Sequence, residues 1–503
     1  MIFMKKAGFI LIFLLLAFFF SSVDILGLAL TPEGYFYYHP DTDVNVYYTY
    51  MDQAREGRFL FCNQFSAEPH PCKLFFPLWY AGGVIGSVFH LTNFVSFLVI
   101  RFLTLLLSAY IFWKLCLYLF KEAALPAFLS AFFSGGLILF YYTNFFAIAF
   151  HNPLHLLVVS LMILLLWLSM IIWLKESRWY YWVALFALSL SISMMHAYEA
   201  IILFINYAVL LIFGGWLGRK NFKKSLFIFL LVALGAGLGS GYYLVLFIKY
   251  QAYHDWFLFN YLPLYGPKSL ILNYGLLLPL SLLAVYWLFK EKQKLKPWLV
   301  IISWFIGGLT SLFLPLYFNN KLLFSWYIAL ALLSAYALIY FYRQGYFLRY
   351  KKIILILAII LLVSGNLYFY GRTIYRIYFI GYPWHLEKNY LKPLLWLKEN
   401  SSLDEAVVAS YKWETFLSAY AGAKSLAGSN QSNNEENKKA FIRYLFADNF
   451  NDDLKRHQLI DYNVEYLLYT YLEKEMGSFN PDEKNYLREI YNDGWAKIYQ
   501  VIW

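Results

Sequence analysis

The sequence predicts an α-helical polytopic membrane protein, with about eleven transmembrane helices and a small α/β domain at its C-terminal end. Composition supports this first: hydrophobic residues make up 61% of the 503 and charged residues 14%, where a soluble domain carries about 25% charged residues. The mean hydropathy is +0.53. Second, apolar runs of spanning length recur along most of the chain. Third, basic residues collect in every other loop.

Apolar runs long enough to cross a bilayer lie near 8–30, 94–120, 124–142, 154–174, 179–195, 200–217, 225–248, 269–289, 298–317, 322–342 and 353–371. The stretch 179–217 is too long for one helix and divides at 194–199, where polar residues cluster. One set of loops holds Lys5, Lys6, Lys121, Lys175, Arg178, Arg219, Lys220, Lys223, Lys224, Lys290, Lys292, Lys294, Lys296, Arg343, Arg349, Lys351 and Lys352. Beyond the first long loop, the opposite set has little more than Lys249, Lys268 and Lys321. The positive-inside rule makes the first set cytoplasmic. The N-terminus is then cytoplasmic, and an odd number of spans leaves the C-terminal domain extracytoplasmic. Lys5 and Lys6 before an apolar run also open a signal peptide, but no small-residue cleavage site follows. The first segment is read as an uncleaved anchor.

The net charge of +11 belongs to the membrane half. Residues 1–384 hold 27 Lys and Arg against 12 Asp and Glu, and residues 385–503 hold 14 against 18. A mildly acidic soluble part without a basic stripe excludes nucleic acid as an expected partner. The chain thus divides into a transmembrane domain, 1–384, which includes an outer loop 31–93, and an extracytoplasmic domain, 385–503. In the latter, 391–399 reads as a helix, 406–410, 464–471 and 496–503 as strands, and Asn- and Ser-rich 429–437 as a loop.

Cys62 and Cys72 both fall in the outer loop. In an oxidising compartment they would staple it, and two unrelated thiols are the alternative. Cys116 lies within a span and reads as packing. Arg101, near the start of the second span, is expected to reach the outer headgroups. Asp41 and Asp43 follow a proline just beyond the first span. An amphipathic stretch, 44–59, with Tyr47, Tyr48 and Tyr50 then begins, and is expected to lie along the membrane surface. Either aspartate can serve simply as a cap for that helix.

These features resemble the GT-C superfamily of multi-span glycosyltransferases, whose donors are polyprenyl-phosphate sugars. The resemblance rests on Asp43-Val-Asn-Val-Tyr47 opening a large outer loop after the first helix. It also rests on Phe75-Phe76-Pro77-Leu78, on the return His196-Ala-Tyr198-Glu199, and on Trp396-Leu-Lys-Glu-Asn400 near the start of the terminal domain. It implies an inverting hexosyl- or pentosyltransferase that acts at the outer face on an acceptor not readable from sequence. Membrane lipid and a polyprenyl-phosphate sugar are the implied partners. By the same resemblance Asp43 is the candidate base, with Asp41 second, and Tyr47, His196 and Glu199 are candidate substrate contacts. Lys321 and Arg372 are candidates for the lipid phosphate.

Each site residue has a plainer reading beside this one. His196 and Glu199 can satisfy each other, and Lys321 can be a snorkelling anchor. No cofactor is certain. Some members hold a divalent metal between such an aspartate and an acid on a later outer loop. Here the return 143–153 offers His151 and Asn152 but no acid, which argues against a metal. The competing function is a non-catalytic GT-C-like membrane protein in lipid or glycan transport or surface-polysaccharide assembly.

Overall fold

The computed structural model describes residues 2–38, 42–135, 152–175, 178–250, 270, 273–314, 322–344, 350–380, 384–413, 416–428, 434–448 and 451–502. Asp41, Lys321 and the return through His151 lie outside them. The chain is mainly helical. Among the described residues, six helical stretches are long and apolar enough to cross a membrane: Asn93–Phe132, Pro153–Leu174, Glu199–Trp216, Arg219–Lys249, Ser325–Arg343 and Ile353–Ile380. Shorter apolar helices are Leu14–Ala29, Trp179–Met195, Leu277–Lys290 and Leu295–Ser311. The first of the six joins two predicted runs. A 3-10 turn, Lys121–Ala123, separates Asn93–Phe120 from Ala124–Phe132, and Lys121 adopts φ +51° there.

The chain packs into two compact units. One comprises 1–23, 100–243 and 261–376, and the other 24–99, 244–260 and 377–503.

The first unit is helical. Lipid is as apolar as leucine, so helices in a bilayer associate through close contact of small residues and through internal hydrogen bonds. Both devices are present. A Cβ at Gly239 would stand 2.7 Å from the Leu190 carbonyl oxygen, and one at Gly235 2.7 Å from that of Phe186. These glycines let Arg219–Lys249 lie directly on Trp179–Met195. At Gly308 a Cβ would fall 2.3 Å from Cβ of Trp326. Hydrogen bonds link Ser169 to Tyr207 at 2.6 Å and Ser281 to Ser334 at 3.1 Å.

The second unit is built on a five-stranded sheet of order β4-β3-β5-β7-β6, formed by Lys424–Ser425, Ala406–Val408, Val464–Tyr469, Lys497–Val501 and Leu487–Asn492. β3 runs parallel to both β4 and β5, whereas β7 is antiparallel to β5 and β6. Both faces are covered. Ala406, Val408, Val464, Leu467 and Tyr499 pack with Phe441, Leu445 and Leu459 of the helices Glu435–Ala447 and Asp452–Asp461. Val407, Tyr466, Leu468 and Ile498 pack with Leu394 and Leu397 of Leu391–Asn400 on the other side. A register shift between Ala406 and Val407 lets Val464 and Leu467 share a face despite their odd spacing.

The predicted helix 391–399 and the three predicted strands are present within a few residues. The sequence pattern does not reveal β4 and β6, because both are edge strands. β6 carries Arg488, Glu489 and Asn492 and shows no apolar alternation.

Residues 24–99, which include the loop 31–93, belong to this second unit. β1, Tyr35–Tyr37, pairs antiparallel with β2, His385–Glu387. Farther along the loop, Ser66 bridges to Ala427, and Gln64 accepts a hydrogen bond from Ser425 N at 2.9 Å. The loop thereby covers the β4 edge of the sheet, and Ala67 enters its core.

Candidate functional site

Asp43 sits in the first turn of the helix Thr42–Arg55 and is exposed. Every residue from Val44 to Ala54 is buried. The expectation of a helix lying on the membrane surface is therefore overturned. Its alternating aromatic and polar residues are met by protein on all sides. Tyr47 stacks on Trp79, with ring centroids 4.0 Å apart and planes 17° apart. Tyr50 stacks on both Phe61 and Phe76, and Tyr48 meets Phe97 and Tyr420 edge-on. Gly83 of the helix Pro77–Val88 allows a close backbone approach: a Cβ there would stand 2.5 Å from Met51 O.

Several polar groups of this helix are met by remote partners, while Asn45 Oδ1 is buried with no hydrogen-bond partner among the described residues. Asn45 donates to Tyr38 Oη at 2.6 Å. Gln53 exchanges two hydrogen bonds with the Cys62 backbone, donating to its carbonyl at 3.1 Å and accepting from its N–H at 2.7 Å. Asp52 accepts from Asn93 Nδ2 at 2.9 Å and from Lys398 Nζ at 3.1 Å. Asp43 is thus an exposed carboxylate at the end of an immobilised helix, and fixed geometry is what a general base needs. Tyr47, the proposed substrate contact beside it, is 7% exposed and is engaged by Trp79.

The loop that follows is held as firmly. Cys62 and Cys72 are joined by a disulfide. His70 accepts from Asn63 N at 3.0 Å through Nε2, and its Nδ1 lies 2.7 Å from the Glu68 carbonyl oxygen, so both bonds form in the neutral Nδ1–H tautomer. Burial pushes the His70 pKa below its ordinary value, opposed by the Glu68 contact. Glu68 pairs at 2.6 Å with Lys438, which is fully buried. Arg58 makes a bidentate pair with Asp404 at 2.8 and 3.1 Å, which holds that carboxyl below its ordinary value.

A second cluster lies in the other unit. Glu199 opens the helix Glu199–Trp216 and is fully buried. One carboxylate oxygen is 3.2 Å from His196 Nδ1, and the other has no hydrogen-bond partner among the described residues. His155 meets His196 edge-on, with centroids 4.9 Å apart. It is brought there by the helix Pro153–Leu174, which Asn152 caps by accepting from Leu154 N and His155 N. Proximity in sequence pairs His196 with Glu199 but gives no sign of His155. An unspent lone-pair site on a buried carboxylate suits a ligand hydroxyl or N–H.

Arg372 is exposed on Lys351–Tyr375. Arg101, expected in the headgroups, is instead 1% exposed. A lone arginine inside a long apolar helix was the available signal, since intramembrane charges face protein or cavity rather than lipid. Asp24, in the C-terminal part of the first helix, is also fully buried and accepts from Tyr37 Oη at 2.7 Å. Among the described residues no three His, Cys, Asp or Glu side chains are grouped to hold a metal.

No protein-family model and no curated protein matches the sequence. Solved structures do. The chain aligns over 99% of its length with 74% of the Archaeoglobus fulgidus oligosaccharyltransferase in its apo form, with 14% identity and a TM-score of 0.62. Archaeal AglB from the same organism, in complex with an inhibitory peptide and a dolichol-phosphate, matches 98% of this chain over 74% of its own, with 13% identity and a TM-score of 0.56. ArnT from Cupriavidus metallidurans, bound to undecaprenyl phosphate, aligns over 98% of both chains, with 10% identity and a TM-score of 0.51. What is shared at these identities is the architecture, from the first helix to the terminal sheet, and that architecture is the GT-C fold.

Proposed function

We propose that this protein is a membrane glycosyltransferase that moves a sugar from a polyprenyl-phosphate donor to an acceptor at the extracytoplasmic face. The observation that carries the reading is the GT-C fold over nearly the whole chain, shared with proteins seen with dolichol-phosphate and undecaprenyl phosphate. Asp43 supports it locally, as an exposed carboxylate on a helix whose residues 44–54 are all buried.

In the proposed reaction an acceptor hydroxyl attacks the anomeric carbon from the face opposite the phosphate, inverting that centre. The bond from that carbon to the phosphate oxygen breaks, and polyprenyl phosphate departs with the electron pair. Asp43 takes the hydroxyl proton. Phosphate is a good leaving group, so the chemistry asks for no strong acid. It does ask for positioning, because the donor is confined to the bilayer and its sugar can be met only near the membrane surface. The orientation supporting this is the positive-inside pattern of the loops. The competing, non-catalytic reading draws on the absence of an acid from the return 143–153.

The test is Asp43→Asn in membranes supplied with labelled polyprenyl-phosphate sugar. Transfer should fall about 100-fold or more at unchanged expression, the usual range for loss of a general base. Full activity in D43N would remove Asp43 from the mechanism. Absence of transfer by the unmodified protein, across hexosyl and pentosyl donors, would favour the non-catalytic reading.

A further inference from the structure

We propose that the helical unit carries, at its basic end, a binding site for the anionic phosphodiester headgroup of a membrane lipid. A cleft of about 400 Å³ is lined by Tyr118, Trp167, Lys175, Arg178, Tyr180 and Tyr181. It lies at one end of three helices: the last turn of Asn93–Phe120, the C-terminal part of Pro153–Leu174 and the start of Trp179–Met195. The loops at this end are the basic ones, which the positive-inside pattern makes cytoplasmic.

The walls of the cleft match the two halves of such a ligand. Lys175 and Arg178 are exposed, and among the described residues neither pairs with a carboxylate. Arg178 donates to the Tyr180 hydroxyl at 3.4 Å and lies over the face of its ring. Lys224 donates to the Lys175 carbonyl at 2.9 Å.

Arg178 is also the N-cap residue of Trp179–Met195, and no side chain caps that terminus. Open N–H groups at a helix N-terminus favour an anion. Trp167 also lines the cleft, and its indole N–H is buried with no hydrogen-bond partner among the described residues, so a small rotation of the ring would offer it to an acceptor-bearing ligand.

The aromatic wall argues for a lipid rather than a free anion. Tyr118 and Trp167 lie on helices that cross the membrane, so a ligand seated against them has an apolar part. Trp179, 74% exposed, stands next to Arg178 as an interfacial anchor would. Basic pockets between spans on the cytoplasmic side are suited to anionic headgroups. No residue of this site is used in the glycosyltransferase reading, so the two stand or fall separately.

The experiment uses the full-length protein, delipidated in neutral detergent, with phosphatidylglycerol, phosphatidylcholine or inorganic phosphate added. Native mass spectrometry reads retained lipid, and thermal unfolding reads the linked stabilisation. Phosphatidylglycerol should be retained and should raise the Tm, and the other two should do neither. Lys175→Ala with Arg178→Ala should lower retention about tenfold or more, with the lipid-free Tm unchanged. Trp167→Phe, which keeps the ring but removes the N–H, should weaken retention as well. The same substitutions at Lys290 and Lys292, in another basic loop, should leave it intact.

Equal retention by the Lys175 and Arg178 double variant would overturn the site. Equal retention of phosphatidylcholine would overturn its charge selectivity, and an equal Tm rise with inorganic phosphate would overturn the lipid as its ligand.

Discussion

Lys398, on the helix Leu391–Asn400, places its ammonium 3.1 and 3.3 Å from the two carboxylate oxygens of Asp52, on the helix that carries Asp43. The partners are unequal. The Asp52 side chain is 8% exposed and that of Lys398 43%. Removing Lys398 leaves a buried carboxylate that depends on Asn93, whereas neutralising Asp52 leaves a lysine that can turn to water. Lys398→Ala is therefore expected to cost about 1–3 kcal/mol, and Asp52→Asn less than about 1 kcal/mol. Thermal unfolding in detergent orders the two variants, and the reverse order would refute the asymmetry.

His70 makes stability depend on pH. Its folded pKa lies below the ordinary 6.5, so between those values the unfolded chain binds more protons than the folded one. The contribution of the neutral ring is full above about pH 6.5 and is lost as pH falls toward the folded pKa. Protonation also costs Nε2 its role as acceptor for the Asn63 N–H. His70→Gln should flatten the fall in Tm between about pH 7 and 5. An unchanged slope would assign that fall to other groups.

Gly239 faces backbone rather than flexible side chains, with Leu190 O at 2.7 Å and Met194 N at 3.0 Å from an added Cβ. The neighbours cannot rotate away. Gly239→Leu should separate the helices Arg219–Lys249 and Trp179–Met195 at a cost of about 1–3 kcal/mol. Gly237, where an added Cβ meets nothing within 4 Å, is the matched control, and Gly237→Leu should be nearly neutral by the same measurement.

Glu199 separates a structural from a chemical role. Glu199→Gln keeps an oxygen for His196 and puts a side chain that cannot ionise in a buried position, so the Tm should hold or rise. If the second carboxylate oxygen serves the substrate, transfer should fall about tenfold or more. Wild-type transfer in E199Q would make the pair with His196 purely structural.

How much of the molecule is legible in its sequence follows from the range of the forces involved. Hydropathy sums over a local window, so the apolar runs, the break at 194–199 and the buried strands Val464–Tyr469 and Lys497–Val501 are readable from the order of residues alone. Loop charge is local too, and it supplies an orientation.

The helix Thr42–Arg55 is readable as a helix but not as a buried one. Asn45, Asp52 and Gln53 suggest a wet face, and they are buried because Tyr38, Lys398 and the Cys62 backbone arrive from elsewhere in the chain. The same holds for the approach of His155 to His196 and for the loop 31–93 covering the β4 edge. Tertiary structure decides these, because a polar group can be buried only when its partners are present, and no local pattern records a partner distant in sequence.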